Sequence, residues 1–374
     1  MTAAYDVVVV GGGIVGAACA AACARGGLKV LVLERGPIGG GATATCMGHL
    51  VVMDDSQPQF ALTAYSRRLW HRLAEELPEG AEYDRCGTIW VAADDEEMDA
   101  VERKHAAYGT AGLRSQVLDA AALADAEPNL RAGLAGGLLV TDDAVVYPPL
   151  VARYLLDSAE ANRAEVRTGV EVRRLDDDGS VILIDGTVFQ AGTVVNAAGR
   201  FSPALTPGLP IRSRKGHLVV TDRYPGYVRH QLIELGYLKS AHAVQSDSVA
   251  MNIQPRKTGQ MLIGSSRQFD AEGTEAELPI IGRMIRRATE YVPDLGRLVA
   301  IRAWAGHRAA TPDKLPLIGP SIAGDRIWLA TGHEGLGITT SLGTGQLLAD
   351  LLLGRDPEIP ATPYSPKRFA DEGD

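Results

Sequence analysis

The 374-residue chain has few cysteines, few aromatic residues and no excess of basic charge. Its four cysteines, Cys19, Cys23, Cys46 and Cys86, are too few for a disulfide-stabilised scaffold and lack the spacing of zinc ligands. Thirty-seven Lys and Arg against 46 Asp and Glu give a net charge of −9, which argues against a nucleic-acid partner because phosphate binding needs a basic surface. With 46% hydrophobic and 22% charged residues, the composition excludes a disordered chain. The length favours two domains of roughly 100–200 residues each.

The chain also lacks a continuous apolar segment that would span a membrane. Residues 7–24 carry no charge, but Gly11–Gly13 and Gly16 interrupt them, and a valine run gives way to an alanine-rich run. A secretory signal would begin with basic residues, and the first residues contain none. We therefore expect a cytoplasmic protein.

The beginning of the chain predicts a strand, a glycine turn, a helix and a second strand. We place the three regular elements at Tyr5–Val10, Ile14–Arg25 and Lys29–Glu34. A continuous valine run is typical of a strand that is buried on both faces of a parallel sheet. The elements therefore predict the first part of a parallel α/β domain.

Three glycines in this turn follow the GxGxxG pattern of dinucleotide-binding proteins. Gly11 permits the tight turn, Gly13 lets the backbone approach a pyrophosphate, and Gly16 lets the helix pack closely against the strand. The helix N-terminus offers N–H groups and a positive dipole to the anion. Glu34 ends the next strand and can accept hydrogen bonds from ribose hydroxyls. Together these features predict a dinucleotide site.

The GxGxxG pattern alone fits both FAD and NAD, and two further features favour FAD. The pattern does not recur after another strand, so we expect a single dinucleotide. The glycine-rich loop Gly332–Gly337 opens a helix near the other end of the chain. A helix N-terminus at that end would stabilise an anionic reduced flavin, so we predict a long cofactor that both ends of the chain contact.

Elsewhere the hydrophobic pattern predicts helices and strands in alternating groups. The helices are predicted at Gln59–Leu77, Glu96–Tyr108, Asp119–Glu127, Pro149–Ala161, Pro279–Val292 and Ile338–Leu353. The strands are predicted at Glu82–Ala93, Val166–Thr168, Thr193–Gly199 and Arg326–Thr331, with an antiparallel sheet across Ile211–Gln268.

Parallel-sheet segments fall at the beginning, middle and end of the chain, with antiparallel segments between them. The predicted fold class is α/β, with a Rossmann-like FAD-binding domain built from discontinuous segments and an inserted α+β substrate domain whose sheet is mainly antiparallel. The FAD-binding domain is assigned residues 1–80, 146–206 and 301–360. The substrate domain is assigned residues 81–145 and 207–300, and residues 361–374 form a tail.

Four segments resemble the D-amino-acid-oxidase-like flavoproteins, a family that includes glycine oxidase, sarcosine oxidase and bacterial D-amino-acid dehydrogenases. The segments are VVVVGGGIVGAACA with Glu34, GGGATATCMGHL (Gly39–Leu50), VVNAAGRFSP (Val194–Pro203), and WAGHRAATPDKLPLIGP with ATGHEGLGITTS (Trp304–Ser341). The resemblance runs from Tyr5 to Leu353. It implies an FAD-dependent amino-acid dehydrogenase or oxidase whose substrate domain covers the flavin ring.

The resemblance also implies roles for individual residues. Arg308 matches the arginine that holds the substrate carboxylate, which agrees with the planar and permanently charged guanidinium group. His49 matches a histidine beside the flavin, and these two residues are the implied catalytic residues. Asn252 and Gly335 join them in the implied substrate site. The implied cofactor contacts are Gly11, Gly13, Ile14, Val15, Gly16, Glu34, Arg35, Thr43, Ala44, Thr45, Met47, Gly48, His49, Val170, Ala198, Gly199, Arg308, Gly332, His333, Gly335, Leu336, Gly337 and Ile338.

Two departures from the family pattern bear on the substrate and on the flavin. Many amine-oxidising relatives carry an aromatic residue where this chain reads VAMNIQPR, with Met251 and Asn252. Sarcosine oxidases link their flavin covalently to a cysteine, and no cysteine lies near the C-terminal loop of this chain. The resemblance therefore implies FAD bound without a covalent link.

The segment MGHLVVMDDS (Met47–Ser56) is similar to the β subunits of bacterial hydroxyproline dehydrogenases. This similarity implies a proline-type substrate, with cis-4-hydroxy-D-proline the best single choice, oxidised to an imine by hydride transfer from the α-carbon to flavin N5. Glycine, sarcosine or D-amino acids in general are the alternative substrates. A flavin monooxygenase or an electron-transfer flavin subunit of a larger complex is the second alternative, and flavin or iron–sulfur partner subunits are candidate electron acceptors.

Overall fold

The computed structural model describes residues 5–236, 247–269 and 271–369. A mainly parallel sheet and a mainly antiparallel sheet organise these residues, as the sequence predicts. Residues 237–246 belong to the antiparallel region predicted across Ile211–Gln268 and lie outside the described residues, as do both chain ends.

The regular elements are numbered here in chain order. The strands are β1 (Tyr5–Val10), β2 (Val30–Glu34), β3 (His49–Leu50), β4 (Thr88–Ala92), β5 (Ser115–Asp119), β6 (Gly136–Val140), β7 (Ala144–Val145), β8 (Glu165–Thr168), β9 (Val172–Leu175), β10 (Ser180–Leu183), β11 (Val188–Asn196), β12 (Arg212–Thr221), β13 (Gln231–Glu234), β14 (Ser248–Pro255), β15 (Met261–Phe269), β16 (Ala300–Ala310), β17 (Leu317–Ser321) and β18 (Gly324–Thr331). The helices are α1 (Ile14–Arg25), α2 (Ala42–Thr45), α3 (Gln57–Leu73), α4 (Asp95–Thr110), α5 (Ala120–Ala126), α6 (Pro148–Ala161), α7 (Ser202–Leu205), α8 (Leu278–Thr289) and α9 (Gly337–Leu352). Within the described ranges, none of these helices is long and apolar enough to cross a membrane.

The first sheet brings the ends of several parallel strands to one edge. Its strand order is β17-β18-β11-β1-β2-β8, with β1 parallel to β2 and β11, and β11 parallel to β18. Val7 and Val9 pack in one apolar cluster while Val8 and Val10 pack in another, so β1 is buried on both faces. The carboxyl ends of parallel strands are where ligands bind in such sheets, and here the turns after β1 and β11 and the loop after β18 share that edge.

Small residues allow the helices to pack tightly on this sheet. The alanine-rich α1 is buried along almost its whole length and contacts α6 and α9. A Cβ atom at Gly345 of α9 would lie 2.5 Å from the carbonyl oxygen of Ala18 in α1, so the two helices can approach this closely only because residue 345 is glycine. The contact fixes the N-termini of α1 and α9 relative to each other.

The second sheet forms the other half of the molecule. Its strand order is β16-β12-β15-β14-β13-β4-β6-β5, and its pairs are antiparallel except for β13 with β4. One face packs on α8, where Met251 and Ile253 share a cluster with Met284. The opposite face carries Trp90 and Asn252 and is turned toward the loops of the first sheet.

The sequence predicted most elements, with differences at their ends. The first strand and the first helix have the predicted bounds, Tyr5–Val10 and Ile14–Arg25. The helix predicted at Gln59–Leu77 begins earlier, at Gln57, because the Ser56 hydroxyl accepts a hydrogen bond of 3.3 Å from the backbone N–H of the third helical residue. It ends four residues earlier than predicted.

Two predicted strands had the wrong bounds. The strand predicted at Glu82–Ala93 is confined to Thr88–Ala92, because Glu82 adopts a left-handed backbone with φ of 52° after a short 3₁₀ turn. The strand predicted at Thr193–Gly199 begins earlier and ends at Asn196, whose backbone is the last to pair with β1.

The sequence did not predict the strand β16, which belongs to the second sheet. It pairs with β12 at the edge of the second sheet. The sequence prediction assigned residues 301–360 to the FAD-binding domain, and residues 301–310 belong to the second sheet. The division into domains remains a prediction.

Candidate active site

A cavity of about 740 Å³ lies between the carboxyl edge of the first sheet and the face of the second sheet that carries Trp90 and Asn252. It reaches from the turn after β1 to the loop between β18 and α9, and its far wall consists of strands of the second sheet. Ligand sites are commonly concave and lie at such junctions. The cavity is therefore the candidate active site.

Two glycines of the GxGxxG segment, Gly11 and Gly16, have no room for a side chain. Gly11 has φ of +115°, and a Cβ atom there would lie 2.5 Å from the carbonyl oxygen of Ala197. A Cβ atom at Gly16 would lie 1.9 Å from the carbonyl oxygen of Gly11, so Gly16 sets how closely α1 approaches β1. Gly11 lines the cavity and Gly16 does not.

The N-terminus of α1 faces this end of the cavity. Gly13 is its N-cap residue and provides no side-chain cap, while the backbone N–H of Ile14 donates to Thr43 Oγ1 at 3.1 Å. Thr43 is buried and lines the cavity beside Gly13. The helix dipole and the remaining N–H groups make this end suitable for a phosphate or pyrophosphate.

Glu34 is fixed by the backbone around it. Its carboxylate accepts hydrogen bonds from the N–H groups of Gly12 at 2.6 Å and Gly36 at 2.7 Å. A carboxylate has about four acceptor positions, so lone pairs remain on both oxygens for a hydroxyl of a ligand. Next to it, the guanidinium of Arg35 stacks on the ring of Phe201 at 3.8 Å and borders the cavity.

The loop after β18 forms the opposite end of the cavity. His333 lies in this loop, and its Nε2 is 2.9 Å from Thr344 Oγ1 of α9. Burial lowers the pKa of His333 to about 3, so its imidazole is neutral and serves to hold the loop. Residues Gly335–Ile338 line the cavity, and α9 begins among them at Gly337, which places a second helix N-terminus there.

Arg308 projects from β16 into the cavity. Its Nη1 donates to the carbonyl oxygen of Ser266 at 3.1 Å. Arg214 lies directly opposite Arg308 in the neighbouring strand β12 and forms a buried ion pair with Glu334 of the loop after β18. The ion pair offsets the charge of Arg214 and ties the loop to the second sheet. Two contacts therefore hold Arg308 in the cavity wall, namely its hydrogen bond to Ser266 and the pairing of β16 with β12.

Several buried polar atoms of the cavity wall have no hydrogen-bond partner among the described residues. His49 Nε2 and Asn252 Oδ1 are two of them, and Trp90 Nε1 is another. Burial, together with the positive charge of Arg308, lowers the pKa of His49 to about 3, so its imidazole is neutral. Buried polar groups normally have hydrogen-bond partners, so these atoms point to a ligand or water that supplies them.

Most residues that the resemblance assigned to the site line this one cavity, including Arg308, His49, Asn252 and Gly335. Three do not, namely Gly16, Ala44 and Gly48. Ala44 is exposed on the short helix α2. Gly48 is buried behind the cavity wall, where its N–H donates to Gln254 Oε1 at 2.9 Å. The roles of the lining residues remain predictions.

Other lining residues were not singled out from the sequence. Arg214, Gly216 and Leu218 alternate along β12 and share the face turned to the cavity, and Arg267 lines it from β15. The alternation in this segment was visible, but the sequence did not show which face pointed to the cavity. Cys46 also lines the cavity, and burial raises the pKa of its thiol to about 12, so it stays protonated and unreactive.

Comparisons with known proteins agree over nearly the whole chain. Residues 6–351 match the family described as FAD dependent oxidoreductase. Glycine oxidase of Geobacillus kaustophilus is 30% identical, with 98% of this chain and 97% of that protein aligned. Hydrogen cyanide synthase subunit HcnC of Pseudomonas aeruginosa is 28% identical, with 100% and 98% aligned.

The solved structures give the same result for the fold. The crystal structure of the Geobacillus kaustophilus glycine oxidase superposes with a TM-score of 0.87 at 27% identity, covering 97% of this chain and 98% of that one. L-proline dehydrogenase from P. horikoshii superposes with a TM-score of 0.89 at 22% identity, covering 100% and 99%. At that identity the second similarity shows the fold alone.

Proposed function

The chain belongs to the family of FAD-dependent oxidoreductases, and from that premise we propose that it oxidises a small amino or imino acid at its α-carbon. The observation that carries the proposal is the position of Arg308, which faces the cavity while its Nη1 is held on Ser266. A guanidinium group presents two parallel N–H donors to a carboxylate and is always charged. The remaining lining residues fit the other parts of such a reaction.

The residues present fit FAD at both ends of the cavity. A Cβ atom would fill the backbone turn at Gly11, and the N-terminus of α1, whose N-cap Gly13 has no side chain, faces the same space. The N-terminus of α9, beginning at Gly337, faces the other end. An elongated cofactor with a pyrophosphate and an electron-rich reduced ring matches two helix N-termini that lie apart in one cavity.

FAD, when bound, supplies the acceptor for the two electrons and the hydrogen that leave the α-carbon. Arg308 would bind the substrate carboxylate and so fix the direction of the α-carbon hydrogen. Catalysis of this kind depends mainly on orientation, and a properly oriented reactant gains many orders of magnitude in rate. We therefore assign Arg308 the role of orienting the substrate.

His49 Nε2 and Asn252 Oδ1 are the candidates for holding the substrate nitrogen. Both are buried and lack a partner among the described residues, and Asn252 Oδ1 can only accept a hydrogen bond. His49 is neutral, and Arg308 places a positive charge nearby. This environment disfavours an ammonium group and favours the neutral amine, whose lone pair the oxidation requires. No separate general base is needed once the amine is neutral.

For the substrate itself we propose a proline-type imino acid, with cis-4-hydroxy-D-proline as the first candidate. The support is the sequence similarity of Met47–Ser56 and the presence of Asn252 in the cavity wall, whose side-chain NH2 group can donate to a ring hydroxyl. Glycine, sarcosine and D-amino acids are the alternative substrates. An electron-transfer subunit is the other candidate function, and the similarity to HcnC, a subunit of hydrogen cyanide synthase, favours testing it.

The test is an anaerobic screen in which loss of the oxidised flavin spectrum reports reduction of the enzyme. D- and L-amino acids, proline, the hydroxyproline isomers, sarcosine and glycine are compared, with NADPH as the probe for a monooxygenase. At least one amino or imino acid should bleach the flavin. If none does while the protein retains FAD, the catalytic proposal is wrong and the electron-transfer function is favoured.

The residue-level test uses Arg308→Ala and Arg308→Lys, with Arg297→Ala as the matched control. Arg297 lies on the surface with its side chain 83% exposed and does not line the cavity. Losing the charge-assisted pair should cost about 2–5 kcal/mol of transition-state stabilisation, a roughly 30- to 4,000-fold loss of kcat/KM. Lysine should restore only part of it because it lacks the planar fork. Full activity of Arg308→Ala on the best substrate would overturn the assignment.

A further inference from the structure

Two glycines lie directly opposite each other in the cavity wall. Gly216 of β12 pairs with Gly306 of β16, and both line the cavity. Neither has a positive φ, so the backbone at these positions would accept any residue. What distinguishes them is the lack of space for a side chain. We call these two residues the glycine pair.

At Gly306 the space is taken by the segment predicted to contact the cofactor. A Cβ atom at Gly306 would lie 2.1 Å from Thr45 Oγ1 and 2.6 Å from Thr45 Cβ. Trp304, two residues earlier in the same strand, donates from Nε1 to the carbonyl oxygen of Thr45 at 3.1 Å. The helix that ends at Thr45 is therefore seated on β16, and the missing side chain at residue 306 permits it.

At Gly216 the space is taken by the guanidinium of Arg308. A Cβ atom at Gly216 would lie 2.6 Å from Nη1, 2.7 Å from Nη2 and 2.8 Å from Cζ of Arg308. The Arg308 side chain thus leans across from its own strand and lies over the neighbouring one, where Nη1 reaches the carbonyl oxygen of Ser266. The guanidinium can occupy this position only because residue 216 has no side chain.

We propose that the glycine pair positions the two halves of the active site independently, with Gly306 setting the cofactor segment and Gly216 setting the carboxylate-binding guanidinium. The inference rests on the proposed function, because it takes Arg308 as the group that binds the substrate acid. Both glycines are positioning residues, since Gly216 acts through Arg308 and Gly306 acts through Thr45. A methyl group at either position displaces only one of the two parts.

The displacements follow from the distances. Ordinary van der Waals contact begins at 3.4 Å, so a methyl group at residue 216 requires the Arg308 guanidinium to move by about 0.6–0.8 Å. A methyl group at residue 306 requires Thr45 Cβ to move by about 0.8 Å, and rotating the Thr45 side chain does not relieve this contact. A misplacement of about 1 Å at an active site can cost about 100-fold in rate.

The experiment compares Gly216→Ala, Gly306→Ala and the control Gly109→Ala. Gly109 lies in α4, away from the cavity, where a Cβ atom would meet nothing within 4 Å. FAD affinity is measured by fluorescence titration of the FAD-free protein, and carboxylate affinity by acetate titration of the flavin spectrum. Melting temperature, kcat and KM are recorded for the best substrate of the screen.

Gly216→Ala should weaken acetate binding and raise KM at least tenfold, with FAD affinity changed less than twofold. Gly306→Ala should weaken FAD binding at least tenfold, with acetate affinity of the FAD-saturated protein changed less than threefold. Gly109→Ala should change neither. If both cavity variants weaken the same ligand, or if they only lower the melting temperature, the proposal is overturned. The FAD and acetate titrations need no turnover, so they decide the proposal even if the screen finds no substrate.

A second comparison covers the case in which Gly216→Ala folds poorly. Replacing Arg308 by alanine removes the group that the new methyl would meet. In the Arg308→Ala background, Gly216→Ala should therefore have no further effect on melting temperature or acetate affinity. An equal loss in both backgrounds would show that residue 216 acts through the sheet and not through Arg308, which refutes the assignment.

Discussion

Asp142 and Asp143 are adjacent in the chain, yet they should give protein stability opposite dependences on pH. Asp143 is fully buried, and its Oδ1 lies 3.6 Å from Nη1 of the buried Arg67. Burial raises the pKa of Asp143 from its ordinary 3.8 to about 7, and Arg67 counteracts this only in part. The folded state therefore holds a proton on Asp143 that the unfolded state has already lost above pH 4.

The sign of the effect follows from proton linkage. When the folded state binds more protons, the free energy of unfolding falls as pH rises, by up to about 1.4 kcal/mol per pH unit for one group. For Asp143 this stability is present below its unfolded pKa and is lost as pH rises toward 7. Between pH 4.5 and 7 the loss amounts to about 3 kcal/mol.

Asp142 has the opposite sign. Burial alone would raise its pKa, but hydrogen bonds from Arg114 at 2.9 Å and Arg85 at 2.6 Å hold the pKa of Asp142 below its ordinary value. Its stabilising contribution is therefore present above the unfolded pKa and is lost as pH falls. Both arginines are substantially exposed, so we expect about 1 kcal/mol at most.

The assay is urea unfolding of the FAD-saturated protein at several pH values between 4.5 and 8, for the wild type, Asp143→Asn and Asp142→Asn. The difference in unfolding free energy between the wild type and Asp143→Asn should fall by about 3 kcal/mol as pH rises to 7. The difference for Asp142→Asn should stay level or rise. If the wild type and Asp143→Asn change in parallel across this range, Asp143 does not carry the retained proton and the reasoning is refuted.

Three other predictions concern the cavity. Gly16→Ala should yield protein without FAD, seen as loss of absorbance near 450 nm, because the new Cβ would lie 1.9 Å from a carbonyl oxygen of the glycine turn; retention of bound flavin would contradict this. His49→Gln should keep the pH profile of kcat/KM between pH 5 and 8, because burial and Arg308 lower the pKa of His49 to about 3. The loss of an inflection that the wild type shows in this range would disprove this prediction. His49→Phe should lower kcat/KM about tenfold because it removes a hydrogen-bonding group. Glu334→Gln should lower the free energy of unfolding by about 3 kcal/mol, because it removes the carboxylate of a buried ion pair with Arg214; unchanged urea unfolding would count against the ion pair.

Local sequence patterns predicted the parts of the fold that depend on local chemistry. The valine run and the glycines around Gly11 predicted β1, the turn and α1 with correct bounds. Elements whose ends depend on a single capping or left-handed residue were less accurate, as Ser56 and Glu82 show. The strand β16 was missed because its first half is exposed on both faces and shows no alternation, so only its pairing with β12 makes it a strand.

Some residues of the candidate site could likewise be predicted from the sequence and others could not. Residues within recognisable segments, such as Arg308 and His49, could be assigned from the resemblance, and the structure places them in one cavity. The ion pair between Arg214 and Glu334 joins residues 120 positions apart, and no local pattern relates them. The role of Gly216 depends on the conformation of the Arg308 side chain, which extends over it from the neighbouring strand, and only three-dimensional packing determines that conformation.

The far wall of the cavity is one face of a β-sheet, and this arrangement has a consequence for how the protein can change over evolutionary time. Along β14 the cavity residue Asn252 is flanked by Met251 and Ile253, which point away into the apolar cluster beneath α8. Substitutions at every second position can therefore alter which molecule is accepted while the hydrophobic layer behind them stays intact. Alternate residues of the same strand therefore determine selectivity and stability, so selectivity can change by substitution on one face while the residues that stabilise the fold are kept.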